Sequence, residues 1–179
     1  MKIQGKTVCL KPARLADRQK IFQWLTQSDV TSSMTGPPRY PDHPPPSWDE
    51  FKRDYPDVFF EDRPDGRGRN YIILAGGNEI GTIGYDNLDR IRQRVDLDIW
   101  MRSEAYCGRG FGTDAIETLV NHLHRTLGIR EFDIDPSARN PRAIRAYQKA
   151  GFVAQERNPP GKEADYYDTA AMKRTITNE

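Results

Sequence analysis

The period of the apolar positions changes near residue 70 of this chain. Before that point the spacing is helical. A short β-rich run at 7–10 is closed by Pro12. Residues 15–25 then place Leu15, Ile21, Phe22, Trp24 and Leu25 on one broad helical stripe. The segment 36–46 holds too much proline for a helix or a central strand. Ser47 and Glu50 form a capping-box pattern, and Trp48, Phe51 and Tyr55 follow on one helical face. Pro56 ends that helix and leaves 58–60 as a separate turn, before a charged Gly/Pro loop at 63–69.

Beyond residue 70 the spacing becomes that of strands. Residues 71–75 are β-rich, 76–78 turn, and 80–85 return with interruptions at Gly81 and Gly84. A second turn near Asp89 leads to 95–101, where Val95, Leu97, Ile99 and Met101 share one face and Asp96, Asp98 and Trp100 the other. Ile116, Leu119, Val120, Leu123 and Leu127 then mark a helix stopped by Gly128. The next strand puts Phe132 and Ile134 on one side, Asp133 and Asp135 on the other. Asn140 is suited to an N-cap with Pro141 at the first helical position. Ile144 and Tyr147 lie on that helix, which ends at Gly151. Segments 152–155 and 166–172 supply the last strands. The order β-α-α-β-β-β-α-β-α-β-β predicts an α/β fold, a mixed sheet covered by helices, as one domain over residues 1–179.

Composition narrows the function classes. A chain of 179 residues is enough for one domain with a core. The net charge of +1 gives no global bias toward nucleic acid or anionic membrane, and neither is expected as a partner. Cys9 and Cys107 lie far apart, which fits a reducing, cytoplasmic compartment. No apolar leader and no membrane-length run is present in the sequence.

The chemistry gathers after residue 95. The run Cys107-Gly108-Arg109-Gly110-Phe111-Gly112 joins a strand to a helix, so bare backbone N–H groups and a helix N-terminus can receive a phosphate or pyrophosphate. A right-handed crossover makes strands 95–101 and 132–135 parallel and adjacent, which brings Asp96, Asp98, Asp133 and Asp135 toward one cleft. Carboxylates there suit a cationic acceptor such as an amine, and one of them can take its proton. The competing reading is a solvated face whose aspartates pair with Arg92, Arg94 or Arg139. Tyr147 can donate a proton to a leaving group or serve only in packing. His43, His122 and His124 have no metal-ligand spacing and default to the surface. Cys107 has no histidine near it in sequence to make it a nucleophile, and the arginines at 63, 67 and 69 read as a solvated loop.

The stretch 95–152 resembles the acetyl-CoA-binding core of the GCN5-related N-acetyltransferases, the GNAT family. The family loop Arg/Gln-x-x-Gly-x-Gly/Ala is matched by 107–112, with Cys107 departing at the first position. The run from Asp135 through Asn140, Arg142-Ala143-Ile144, Tyr147 and Lys149-Ala150-Gly151-Phe152 is the sharper match. It is most similar to aminoglycoside 6′-N-acetyltransferases. The resemblance implies a cytoplasmic enzyme that uses acetyl-CoA as acyl donor. By it, Asp98 engages or deprotonates the acceptor amine and Asp135 binds the acceptor, while Asp96 and Asp133 stand as acceptor-binding candidates only from their place on the same strand faces. Tyr147 protonates the departing thiolate. Backbone at Trp100 and Met101 holds the pantetheine arm, the amides of Gly108, Arg109, Gly110, Phe111 and Gly112 hold the pyrophosphate, and Cys107, Thr113 and Asn140 belong to the same cofactor site. The acceptor stays open between a small polycationic amine, a protein N-terminus or lysine, and none at all, as in an acyl-CoA-binding module. A homodimer is compatible with the sequence.

Overall fold

The computed structural model describes residues 1–31, 34, 45–62, 66–155 and 169–177. Its elements are β1 (Ile3–Gln4), β2 (Cys9–Pro12), α1 (Arg18–Thr26), α2 (Trp48–Asp54), β3 (Arg69–Ala75), β4 (Asn78–Asp89), β5 (Arg94–Met101), α3 (Phe111–Leu127), β6 (Glu131–Ile134), α4 (Pro141–Lys149), β7 (Val153–Ala154) and β8 (Met172–Thr175). They build one mixed sheet in the order β1-β2-β3-β4-β5-β6-β8-β7. Its pairings are antiparallel except between β5 and β6. That parallel pair is the one a strand–helix–strand crossover through α3 requires. Among the described residues, no helix is long and apolar enough to cross a membrane.

The alternation along the strands splits the apolar residues between two cores. Ile73, Ile83, Val95 and Leu97 point to one face, where Ile116, Leu119, Val120 and Leu123 of α3 cover them. Ile72 and Trp100 point to the other and pack with Ile21, Phe51 and Phe60. The predicted stripe of α3 is thus a core face, and its end at Gly128, with φ of +70°, is a left-handed cap. The Ser47–Glu50 box forms in both directions at the start of α2, and a separate 3-10 turn, Asp57–Phe60, follows Pro56.

An anchor with no local sequence signature fixes α3. Asp114, in its first turn, accepts hydrogen bonds from Lys6 N (3.1 Å), Thr7 N (2.6 Å), Thr7 Oγ1 (2.8 Å) and Val8 N (2.9 Å). Burial alone would raise its pKa, but these donors outweigh it and hold the carboxyl below the usual range. Gly5 turns the chain tightly here: a Cβ would sit 2.4 Å from Thr118 Oγ1.

Several expectations shift. The first long strand is Cys9–Pro12 rather than 7–10, because Pro12 pairs with Tyr71 at the strand's end instead of closing it. Residues 15–17 form a 3-10 turn ahead of α1, and Leu15 is exposed, off the stripe. Gly81 and Gly84 do not interrupt β4. They permit close approach, since a Cβ at Gly81 would meet Trp100 O at 2.5 Å and one at Gly84 would meet Asn70 Oδ1 at 2.1 Å. Arg69 is not in a solvated loop. It is buried at the start of β3 and donates to Ala13 O, Phe59 O and the Asp62 carboxylate. His122 and His124 are half-buried, and His124 Nδ1 lies 2.8 Å from Ile129 O. The last strand is Met172–Thr175, and its predicted start at 166–168 lies outside the described residues, as do Arg63, His43 and residues 36–44.

Candidate active site

The parallel strands part where the aspartates begin. β5 and β6 pair through Arg94↔Glu131, Val95↔Phe132 and Asp96↔Asp133, and there the pairing stops. β5 runs on to Met101 while β6 ends at Ile134. A cleft of about 1360 Å³ opens at this point. Its wall takes in Trp100 and Met101 at the end of β5, then Cys107, Gly108, Gly110, Gly112 and Thr113, then Asn140 and Tyr147 of the α4 segment. Asp96, Asp98, Asp133 and Asp135 line it as well. Arg109 and Phe111 fall outside the wall. Arg109 is exposed and lies 5.2 Å above the Phe111 ring, which packs toward the core.

Conformation, not crowding, explains the first two glycines of the loop. Gly108 and Gly110 have φ of +70° and +83°, and a Cβ built on either meets nothing within 4 Å. A side chain would be strained there by backbone sterics alone. Gly110 is the N-cap of α3, so the N–H groups of Phe111, Gly112 and Thr113 have no acceptor within the helix. Their aligned dipoles favour an anion at the loop. The Cys107 thiol donates to Ser103 O at 3.8 Å, and burial pushes its pKa up, which counts against a thiolate nucleophile.

The four aspartates have different partners. Asp133 is buried, bonded by Arg94 Nε, and has Lys173 Nζ 4.0 Å away. Burial pushes its carboxyl pKa up despite the pull of those cations. Asp96 accepts from Asn87 Nδ2 at 2.9 Å and lies 3.6 Å from Arg94 Nη2. Arg94, one of the three arginines considered from the sequence, therefore serves both as counter-ion. Asp135 is half-buried. Asp98 is exposed at the open end of the cleft, opposite Gly84 of β4, and accepts from the Tyr55 hydroxyl.

On the other wall Tyr147 is buried on α4, its ring 6.4 Å from Phe152. Asn140 caps this helix by accepting from Ala143 N at 3.1 Å, and Thr113 Oγ1 donates to Ala146 O at 3.3 Å, joining α3 to α4. Arg142 makes a two-pronged pair with Glu104, at 2.5 and 2.9 Å. The Glu104 N–H in turn donates to Asp29 at 2.8 Å. Trp100 turns its side chain into the second core, and its indole N–H is buried with no partner among the described residues. Sequence reasoning missed Tyr55, Glu104 and Asp29 as neighbours of the cleft. Each meets its partner across a long gap in sequence, so spacing carries no signal for it.

Comparison with known proteins shows the family and the fold. Residues 7–153 match the family model described as an acetyltransferase (GNAT) domain. Aminoglycoside N(6')-acetyltransferase type 1 of Klebsiella pneumoniae is 25% identical over 158 residues, spanning 78% of this chain and 70% of that protein. The solved aminoglycoside acetyltransferase AAC(6')-Ib with paromomycin and acetyl-CoA superposes with a TM-score of 0.71 at 22% identity, covering 95% of this chain and 94% of the other. A Salmonella typhimurium acetyltransferase that modifies the N-terminal serine of ribosomal protein L7/L12 gives a TM-score of 0.76 at 17% identity, covering 99% and 100%. The two structural likenesses show the shared fold.

Proposed function

The chain belongs to the GNAT acetyltransferase family, and we propose that it moves an acetyl group from acetyl-CoA to the primary amine of a small cationic acceptor. The observation that carries this reading is the placement of Asp98, Tyr147 and the glycine run on one cleft, at the point where β5 and β6 part. Acetyl-CoA fits that wall: two glycines at positive φ and a helix N-terminus leave backbone N–H groups open to a pyrophosphate. The edge of β5 left unpaired by β6 beyond Asp96 can bond an amide-bearing arm, and Asn140 lines the same cleft. An amine held by the acidic lining loses its proton to Asp98, directly or through a water, and attacks the thioester carbonyl in a ternary complex. Tyr147 returns a proton to the thiolate that leaves. General acid and base groups contribute roughly 10²–10⁴-fold each.

Acetyl-CoA turnover, read as free thiol over aminoglycosides, polyamines and peptide N-termini, tests the proposal. Selective turnover of small cations supports it, and turnover of peptides alone refutes the acceptor class. The second reading, a protein N-terminus or lysine as acceptor, predicts turnover of peptides rather than small cations in the same panel. Cofactor affinity with no turnover of any amine would leave an acyl-CoA-binding module. We take residues 1–179 as one such domain, working in the cytoplasm on the strength of two separated cysteines.

A further inference from the structure

We propose that Tyr55 is a positioning residue for Asp98: its hydroxyl holds the carboxylate in one orientation at the cleft. The inference rests on Asp98 acting as base in the reading above.

The backbone and the ring of Tyr55 are both held in place. The backbone of Tyr55 is pinned by its N–H to Phe51 O at 2.8 Å and by Arg18 donating to its carbonyl at 3.3 Å. Its ring stacks on Phe51 with centroids 4.5 Å apart and planes 17° apart. The edge of Trp100 meets it at 5.6 Å and 85°. Phe51 and Trp100 are both buried, so neither can yield. The phenol therefore reaches the exposed Asp98 from a fixed platform and donates to it. A base must hold one geometry to act, and a donor on a fixed platform supplies one. A donor to the ionised form also lowers the carboxyl pKa. The fixed platform thus links the α2 wall of the cleft to the strand that carries the base.

Tyr55→Phe keeps the ring and removes the donor. The acid limb of kcat/KM against pH is expected to move up by roughly half to one unit, so activity on the acid side falls about three- to ten-fold while KM for acetyl-CoA stays within about two-fold. Other groups face this carboxylate's cleft: Glu50, Arg53 and Asp54 from the α2 side, Asp86 from β4 and Asp96 from β5. Asp133, Asp135, Cys107 and Tyr106 lie around the opening, with Arg142, Arg145, Tyr147 and Lys149 on α4. None changes in the variant, and the acceptor's own pKa is common to both enzymes, so a shift belongs to the lost hydroxyl. Monofluorinated tyrosine at 55, a more acidic donor in an unchanged ring, should move the limb the opposite way. It serves also where Tyr55→Phe is unstable. Asp98→Asn separates the two claims. If Asp98→Asn keeps full kcat, the base reading fails. If Asp98→Asn is inactive and neither Tyr55 variant moves the limb, the positioning role fails.

Discussion

Replacing Asp114 by alanine tests how the glycine run is held in place. The carboxylate accepts three backbone N–H groups and one hydroxyl from Lys6, Thr7 and Val8, across more than a hundred residues of sequence. Hydrogen bonds to a charged group are worth about 1.5–3 kcal/mol each, but bonds to one acceptor are not additive, and Lys6 and Thr7 regain water once freed. The Val8 N–H does not, because Val8 is buried. One orphaned donor and the loss of the remaining charge-assisted bonds come to about 3–4 kcal/mol. In a chain of this length each kcal/mol moves Tm by about 2–4 °C, so a drop of roughly 10 °C is expected at pH 7. The pH dependence supplies a second check with a definite sign. The folded pKa of Asp114 lies below its unfolded value, so its stabilisation is complete above about pH 5 and is lost as pH falls through the folded pKa. The gap between wild type and Asp114→Ala, from urea unfolding across pH 3 to 8, should be flat at neutral pH and narrow in acid. A Tm within about 2 °C of wild type at pH 7 would refute the anchor. A gap that widens on acidification would refute the assigned cause. Because Asp114 sits in the first turn of the helix capped by Gly110, the variant should also raise KM for acetyl-CoA more than KM for the acceptor.

Further tests follow the same geometry. Tyr147→Phe should lower kcat by roughly 10²-fold or more with little change in KM for acetyl-CoA, and a fully retained kcat would remove the acid role. Gly110→Ala meets no atom within 4 Å, so its cost is the left-handed backbone alone, about 1–2 kcal/mol of folding stability, read as a Tm lower by roughly 2–8 °C. Arg94→Met takes the main counter-ion from the buried Asp133, leaving Lys173 at 4.0 Å. About 2 kcal/mol of stability should be lost at pH 7, after allowing for the partial exposure of Arg94. The sign follows from Asp133, whose folded pKa is already raised. Its destabilising effect grows as pH rises through that value, so the melting deficit of Arg94→Met should shrink toward pH 4.

Much of the fold was legible because it is written in local periodicity. The α3 stripe, the Ser47–Glu50 box, the Asn140 cap with Pro141 and the opposite faces of β5 all depend on residues within a turn or two of one another. What could not be read depends on contacts made across the sheet. Pro12 joins β2 only because Tyr71 lies opposite, and Arg69 is buried only because Ala13, Phe59 and Asp62 surround it. Gly81 and Gly84 look like strand breakers until Trp100 and Asn70 are seen pressing against them. Tyr55 looked like one more member of an aromatic helical face. Its bond to Asp98 spans 43 residues and depends on how α2 lies over the sheet.

The candidate site follows from two strands that agree over three residue pairs and then diverge. Alternation sends Asp96, Asp98 and Trp100 to the α1 and α2 side, opposite the α3 core. Before the divergence, carboxylates on this face are close enough to need a counter-ion, and Arg94 holds Asp96 and Asp133 there as part of the sheet. Past it, β5 has lost its neighbour, and the next carboxylate on this face, Asp98, meets the cleft instead of a strand. The same gap leaves an unpaired strand edge on β5 and uncovers the glycine-capped end of α3. One break in pairing therefore exposes a carboxylate, a strand edge and a helix N-terminus together. An amine beside a phosphorylated amide-bearing donor is the pair of ligands whose groups match those three features.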